Sequence, residues 1–175
     1  ALKAETGNDA MAIRVDVTSE ESMQAVVNAV VEKYGTIDIL VNAFGINRKS
    51  PALEFSMENW DRMFDINVKG TMIVCKTVGK LMKEKGKGCI INMSSVRGIR
   101  GYSGGNSAYC GTKGAVELIT KTLAIEWMTY NIRLNAVAPG VIRTSGVSQY
   151  GEDLLEARRQ EIPAKRLGTA EEVAT

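Results

Sequence analysis

The segment IDILVNA (Ile37–Ala43) consists almost entirely of apolar residues. A strand with one solvent-facing side would alternate apolar and polar residues. An apolar run instead predicts a strand buried on both faces, as in a parallel sheet. Three further segments are predicted as strands: Ala10–Val17, Cys89–Ser94 and Ile132–Ala138.

Longer amphipathic segments separate the predicted strands. The first begins with a capping box formed by Thr18 and Glu21, and the second begins after Ser56, a favourable capping residue. The helices are expected over residues 18–35, 57–86 with a bend near 67–70, 107–129 and 151–161. Alternating strands and helices predict an α/β fold, a doubly wound parallel sheet with helices on both faces, in a single domain over residues 1–175.

Composition excludes several classes of function. The net charge is only +2, from 22 Lys and Arg against 20 Asp and Glu, which argues against a nucleic-acid partner. The sequence has neither an apolar signal core nor a run of membrane-spanning length, so a cytoplasmic protein with reduced cysteines is expected. The chain contains no histidine, which removes Ser-His-Asp and Cys-His nucleophiles and most zinc sites. No metal site is predicted.

Polar residues follow the predicted strands where each strand ends. NAFG (Asn42–Gly45) follows the second, Ser94 and Ser95 follow the third, and PGVIRT (Pro139–Thr144) follows the fourth. Ligands of such sheets bind beyond the carboxyl ends of the strands. The sequence therefore predicts that these groups share one ligand-binding edge.

Tyr109 and Lys113 lie four residues apart in SAYCGTKGA, one turn apart on one face of the predicted helix. This spacing alone occurs by chance in many helices. Together with DVT, IDILVNAFG, FDINVKG, INMSS, IRLNAVAPGVIRT and KRLGTAEEVA, however, it resembles the short-chain dehydrogenase/reductase family, in the family's order along nearly the whole chain. The resemblance implies a Rossmann-like fold, here incomplete, and hydride transfer between NAD or NADP and a secondary alcohol or ketone.

The resemblance implies catalytic roles for four residues. Tyr109 is the general acid and base, which requires that its pKa, about 10 in a free phenol, be lowered by the ammonium of Lys113 and by an oxidised nicotinamide. Ser95 would position the substrate oxygen, and Asn67 would hold a water that links Lys113 to solvent. The adjacent Ser94 is an alternative active hydroxyl, with Ser95 then only ending the strand.

The resemblance also implies cofactor contacts. Lys113 and Tyr109 would meet the nicotinamide ribose, and Asp16 the adenine amino group. The remaining positions would act through backbone or hydroxyl groups: Asn42, Ala43, Gly45, Pro139, Gly140, Ile142 and Thr144. Phe44 stands where the family commonly has a small residue.

One family feature is not in this sequence. The phosphate-binding motif TGxxxGxG is missing, together with the strands that flank it. Two hypotheses follow: a piece or truncated form of an oxidoreductase, or a non-catalytic relic or binding module of the same fold. With those strands absent, we expect Ile37–Ala43, Cys89–Met93 and Ile132–Ala138 to form a contiguous parallel core, with Ala10–Val17 detached from it.

Substrate and partners are less defined. Arg48, Arg97 and Arg143 follow three strand ends and would meet an anionic or polyhydroxy substrate, unless they are merely solvated. A substrate lid is expected over residues 145–166. The resemblance implies a homo-oligomer, dimer or tetramer, that pairs through the helix of Tyr109 and the preceding one, with Val116, Ile119 and Leu123 as exposed apolar residues.

Overall fold

The computed structural model describes residues 2–144, 147 and 151–174. Its sheet has three parallel strands in the order β1 (Ile39–Asn42), β2 (Gly88–Met93) and β3 (Ile132–Val137). Leu40 pairs with Ile90, which in turn pairs with Leu134, so the carboxyl ends of all three strands reach the same edge. The predicted contiguous core of three parallel strands is confirmed.

Helices connect and cover these strands as expected for an incomplete Rossmann-like fold. A π-helical segment, Asp65–Gly70, joins two of them at the predicted bend. The bounds are α1 (Leu2–Thr6), α2 (Glu20–Tyr34), α3 (Met57–Phe64), α4 (Thr71–Lys85), α5 (Ser107–Trp127), α6 (Glu152–Glu161) and α7 (Glu171–Ala174). Ser56 caps α3 as predicted, by accepting from the Asn59 N–H at 3.4 Å. The cap of α2 is Ser19 rather than Thr18, whose hydroxyl donates to Asp16.

The core lies on one face of the sheet. Ile90 and Leu134 pack there against side chains of α2, α4 and α5. On the other face, Ile39 and Val41 remain 64% and 54% exposed, so the expected burial of Ile37–Ala43 on both faces is not met within the described residues. The physical reason is that one apolar cluster joins all three helices to the same side of the strands.

The segment Ala10–Val17 is detached from the sheet, as expected, but the strand predicted there is not present. Its residues have no strand assignment and pair with none of the three strands in the described part of the chain. Met11 and Val15 are more than a third exposed, whereas Val17 packs against the core and lies next to Gly70. The apolar character of this segment predicted a strand. A strand needs a neighbouring sheet edge to pair with, and none adjoins this segment in the described residues.

The expectation for the exposed apolar face of α5 was wrong. Val116 and Leu123 are 1% and 4% exposed, because they face the core. Ile119 is partly buried against the same cluster. The exposed apolar side chains of this helix are Leu118 and Ile125.

Candidate active site

The two serines after β2 have different environments. The hydroxyl of Ser94 donates to the Lys113 carbonyl oxygen at 3.1 Å and so ties the strand end to α5. The hydroxyl oxygen of Ser95 accepts from the Arg97 N–H at 3.2 Å, and the Ser95 side chain interacts with the Tyr109 hydroxyl. Of the two alternatives, Ser95 therefore lies at the tyrosine, and Ser94 has a structural contact.

The loop between Ser95 and α5 is compact because glycines allow close backbone approach. Gly104 and Gly105 have φ values of +79° and +72°, in the left-handed region that favours glycine. A Cβ at Gly105 would lie 2.6 Å from the Ser50 carbonyl oxygen. This path brings the first turn of α5, and with it Tyr109, back beside Ser95.

Tyr109 and Lys113 lie on one face of α5, as their spacing predicts. The Nζ of Lys113 is 5.8 Å from the centroid of the Tyr109 ring. It donates to the Met93 carbonyl oxygen, at the end of β2, at 2.6 Å. Lys113 is 5% exposed. Because an ammonium has three donors, this hydrogen bond alone does not saturate it.

Without a cofactor, the Tyr109 pKa is shifted opposite to the expected direction. Burial raises the pKa of Tyr109 above its ordinary value, and this effect outweighs the lowering by the Ser95 side chain and by the charge of Arg97. Burial also lowers the pKa of Lys113. The expected stabilisation of the phenolate by Lys113 is therefore not a property of these residues alone.

We expect Tyr109 in cofactor-free protein to titrate above the ordinary value of 10.0, because burial disfavours the phenolate. The contribution of this raised pKa to stability is present below the unfolded-state pKa and is lost as pH rises through the folded-state pKa. Phenolate absorbance, titrated in the wild type and in Tyr109→Phe, measures the midpoint by difference. If the midpoint of the difference titration lay below pH 10.0, a neighbouring cation would lower the pKa of Tyr109 by more than burial raises it.

Asn67 lies in the π-helical segment, and its side chain connects the loop after β1 to α5. Its Oδ1 accepts from the Ile46 N–H at 2.8 Å, and its Nδ2 donates to the Ile46 carbonyl oxygen at 2.8 Å and to Thr112 Oγ1 at 3.1 Å. Both amide hydrogens are thus used. The Asn67 side chain positions the loop after β1. A water that bound to this side chain could donate only to the second lone pair of Oδ1.

The predicted cofactor residues do not all lie together. The Asn42 side chain is committed to a buried network, in which its Nδ2 donates to Asn92 Oδ1 at 2.8 Å. Asp16 accepts from the Thr18 N–H and hydroxyl and lies at a separate cleft with Arg14 and Ile66. The Asn42 backbone, Ala43 and Gly45 follow β1 at the edge shared with the ends of β2 and β3.

The segment after β3 returns to this edge. The Pro139 carbonyl oxygen accepts from the Val96 N–H at 3.1 Å. Ile142 forms a parallel bridge with Gly168, through the Val141 carbonyl and the Arg143 N–H. In such a bridge the Ile142 N–H and C=O point away from Gly168. Thr144 accepts through its hydroxyl from the Val147 N–H.

A cavity of about 570 Å³ opens beside Ser95 and Tyr109. Gly140 and Ile142 line it on one side, and α6 with the segment after it covers another side. The expected lid falls only partly within the described residues, because 145, 146 and 148–150 lie outside them. The part from Leu154 to Arg166 contributes lining residues to the cavity.

Sequence reasoning missed several lining residues. Of the three arginines predicted near a substrate, Arg97 lines the cavity, whereas Arg48 and Arg143 are not among the described lining residues. The residues that were missed include Lys49, Tyr102, Arg158 and Glu161. The Tyr102 hydroxyl donates to Glu161 Oε2 at 2.5 Å, which joins the glycine-rich loop to α6. No local sequence pattern signals a contact between residues 59 positions apart.

In residues 2–144, 147 and 151–174, no helix is long and apolar enough to cross a membrane. The same part of the chain holds no group of three or more His, Cys, Asp or Glu residues suited to a metal ion.

The chain is similar in sequence to known proteins. The sequence model of the family described as "Enoyl-(Acyl carrier protein) reductase" matches residues 1–175. D-threitol dehydrogenase of Mycolicibacterium smegmatis is 38% identical over 178 residues, which cover 99% of this chain and 68% of that protein. The 3-oxoacyl-[acyl-carrier-protein] reductase FabG of Thermotoga maritima is 41% identical over 160 residues, which cover 91% of this chain and 65% of that protein.

A solved structure, "ElxO with NADP Bound", superposes with a TM-score of 0.88 at 32% identity and covers 93% of this chain and 66% of its own. The chain thus spans about two thirds of the length of the proteins that it matches.

Proposed function

Because the chain belongs to the short-chain dehydrogenase/reductase family of NAD(P)-dependent oxidoreductases, we propose that the full-length protein interconverts a secondary alcohol and a ketone. Tyr109 is the proton donor and acceptor. The observation that carries the proposal is the convergence of Tyr109 and Ser95 at one cavity, with Lys113 buried one turn behind the tyrosine.

The proton step follows from the state of each group. The hydride acceptor for the alcohol carbon would be bound NAD⁺ or NADP⁺, and the hydride donor for the ketone carbon would be bound NADH or NADPH. In reduction, Tyr109 donates its hydroxyl proton to the substrate oxygen as the new C–H bond forms. In oxidation, its phenolate takes the proton from the alcohol. Protonated Tyr109, the form that burial favours, is the one needed for reduction.

Ser95 is suited to hold the substrate oxygen. Its hydroxyl oxygen already accepts from the Arg97 N–H, so its own hydrogen is directed elsewhere. Ser95 is 8% exposed and lines the cavity beside Tyr109, where its hydroxyl donates to the oxygen that Tyr109 protonates. This hydrogen bond from Ser95 would hold the substrate oxygen within reach of the Tyr109 hydroxyl.

The loop after β1 carries no side chain beside the Lys113 ammonium, because position 45 is a glycine. A Cβ at Gly45 would lie 3.2 Å from Asn67 Oδ1 and 3.6 Å from Lys113 Nζ. This ammonium fits the ribose of the nicotinamide half of the cofactor. We assign the ribose hydroxyls to Lys113 and Tyr109. The carboxamide is assigned to the backbone of Ile142 and the hydroxyl of Thr144.

The same proposal assigns the remaining cofactor contacts. The backbone of residues 42–45 lies at the sheet edge where the adenosine half passes, and Pro139 and Gly140 shape the turn beside the nicotinamide. Asp16 remains assigned to the adenine, although Thr18 occupies part of its carboxylate.

The test is turnover by the full-length protein with NAD(H) and NADP(H) over a panel of ketones and secondary alcohols. We expect the nicotinamide absorbance to change with at least one substrate and one cofactor. Cofactor binding without turnover across the panel would contradict the proposed reaction. Failure to bind either cofactor would favour the alternative, a non-catalytic relic or binding module of the same fold that cannot hold the cofactor's pyrophosphate.

We also propose that the full-length protein is a homo-oligomer. The helices assigned to the contact are α4 and α5, on which Met72, Leu118 and Ile125 are exposed apolar residues. Sedimentation of the full-length protein measures its mass, and a clean monomer would contradict this assignment.

A further inference from the structure

The cavity beside Tyr109 is lined by more cations than carboxylates. Among the described lining residues, five are Lys or Arg and two are Glu, which leaves a formal excess of three positive charges. The whole chain carries a net charge of only +2 over 175 residues. Positive charge is therefore concentrated at this cavity rather than spread evenly over the described surface.

One of these positive charges, the guanidinium of Arg97, is held in position by the loop after Ser95. Arg97 donates through Nη1 to Asn106 Oδ1 at 2.7 Å, and its guanidinium carbon lies 4.3 Å from the centroid of the Tyr102 ring. Asn106 is 2% exposed and also donates to two carbonyl oxygens of the loop. The guanidinium of Arg97 is thus fixed by a buried amide and an aromatic ring before any ligand binds.

A second positive charge at the cavity, that of Arg158, comes from α6. Arg158 lies 5.4 Å from the Tyr102 ring, donates to the Tyr102 hydroxyl, and pairs with Glu161 at 2.9 Å. Glu161 therefore pairs directly with Arg158, and its charge also acts on Arg97. Lys49, from the loop after β1, faces the same space, and its pKa is lowered by burial and by the charges of Arg97 and Arg158.

Lys49, Arg97 and Arg158 come from three separate chain segments, and the charges of the two arginines act on Lys49 at a cavity that Tyr109 also lines. Close like charges oppose one another, and an anion between them would relieve this repulsion. The charge of Arg97 also acts on Tyr109 itself and lowers the pKa of its hydroxyl. The cationic group and the proton-transfer group therefore adjoin within one cavity.

We propose that the substrate carries an anionic group, a carboxylate or a phosphate, which Lys49 and Arg97 bind while the reacting oxygen lies at Tyr109 and Ser95. This inference rests on the proposed function, because it names the class of alcohol or ketone on which that function acts. A neutral polyol would displace water from these cations without supplying a negative charge in its place. An anion compensates them and gains charge-assisted hydrogen bonds.

Two pairs of probes isolate the charge. Acetoacetate is compared with methyl acetoacetate, and dihydroxyacetone phosphate with dihydroxyacetone, using full-length protein and its preferred cofactor. We expect kcat/KM for the anionic member of at least one pair to exceed that of the neutral member by roughly tenfold or more. A carboxylate and a phosphate are distinguished by which pair gives the larger ratio. Added salt should reduce the preference, since it screens exposed charges.

The Lys49→Gln variant tests whether this cavity is the origin of the preference. The ratio of kcat/KM for anionic over neutral probe should fall by roughly tenfold, whereas Lys49→Arg should retain most of it. Arg48→Gln is the matched control, because it removes the same charge from the preceding residue, which is not among the described lining residues. Its ratio should equal that of the wild type.

Affinities measured without turnover keep this inference separate from the proposed function. Calorimetric titration of the four probes into Tyr109→Phe protein should give tighter binding of the anionic members, and Lys49→Gln in that background should abolish the difference. Equal affinities, or tighter binding of the neutral members, would overturn the inference even if neutral ketones are turned over. Selective anion binding without turnover by the wild type would support this site and contradict the proposed reaction.

Discussion

Replacing Tyr109 with phenylalanine is expected to lower the turnover of the full-length protein by a factor of roughly 10²–10⁴, the usual contribution of a positioned acid or base. The ring remains, so the packing of the first turn of α5 is retained, and only the hydroxyl beside Ser95 is lost. Cofactor affinity should change little, because Lys113 keeps its hydrogen bond to the Met93 carbonyl oxygen. Steady-state kinetics and a cofactor titration measure the two effects separately.

Tyr34→Phe is the matched control for this prediction. Tyr34 is an exposed tyrosine at the end of α2 and is not among the described residues that line the cavity. Its variant should retain wild-type turnover. If Tyr109→Phe also retains it, another group supplies the proton, and the assignment of Tyr109 is wrong.

Substituting Gly98 with alanine should disrupt both stability and activity. A Cβ at this position would lie 2.6 Å from the Lys113 carbonyl carbon and 2.7 Å from its oxygen. These atoms belong to the backbone of α5, which, unlike a flexible side chain, does not move aside. We expect destabilisation of roughly 1–3 kcal/mol, as for overpacking. A shift of about 1 Å between Ser95 and Tyr109 would also lower turnover by about 10²-fold.

Gly101→Ala provides the comparison in the same loop. A Cβ there meets no atom within 4 Å, and Gly101 is not among the described glycines with positive φ. Thermal unfolding and turnover of this variant should match those of the wild type. Equal unfolding temperatures for Gly98→Ala and the wild type would show that the loop and α5 are not in the close contact described.

The positions of Tyr109 and Lys113 could be predicted from sequence because both lie on one helix. Four residues of separation put two side chains on one face of any α-helix, whatever surrounds it. The three core strands were predictable for a similar reason, since short apolar runs between amphipathic segments have few other stable arrangements. Local spacing thus carried the information for the relative position of Tyr109 and Lys113 and for the order of elements along the chain.

Local spacing carried less information about the surroundings of each side chain. Val116 and Leu123 were expected on the surface of α5, but the helix is rotated so that they face the core. The apolar segment Ala10–Val17 has strand character, yet strand formation requires a neighbouring edge, and none adjoins it in the described residues. The pKa of Tyr109 depends on how deeply α5 buries the hydroxyl, which no spacing reveals.

The sequence by itself determined which groups are available for acid–base chemistry: a chain without histidine, with Tyr109 and Lys113 one helical turn apart, offers a phenol and an ammonium. Only the tertiary structure decided between Ser94 and Ser95, because adjacent residues after a strand point in different directions, one toward the α5 backbone and one toward the phenol. It alone also gathered Lys49, Arg97 and Arg158 around one cavity. These residues come from three distant segments, and long-range contacts of this kind arise from the packing of the whole chain rather than from any local pattern.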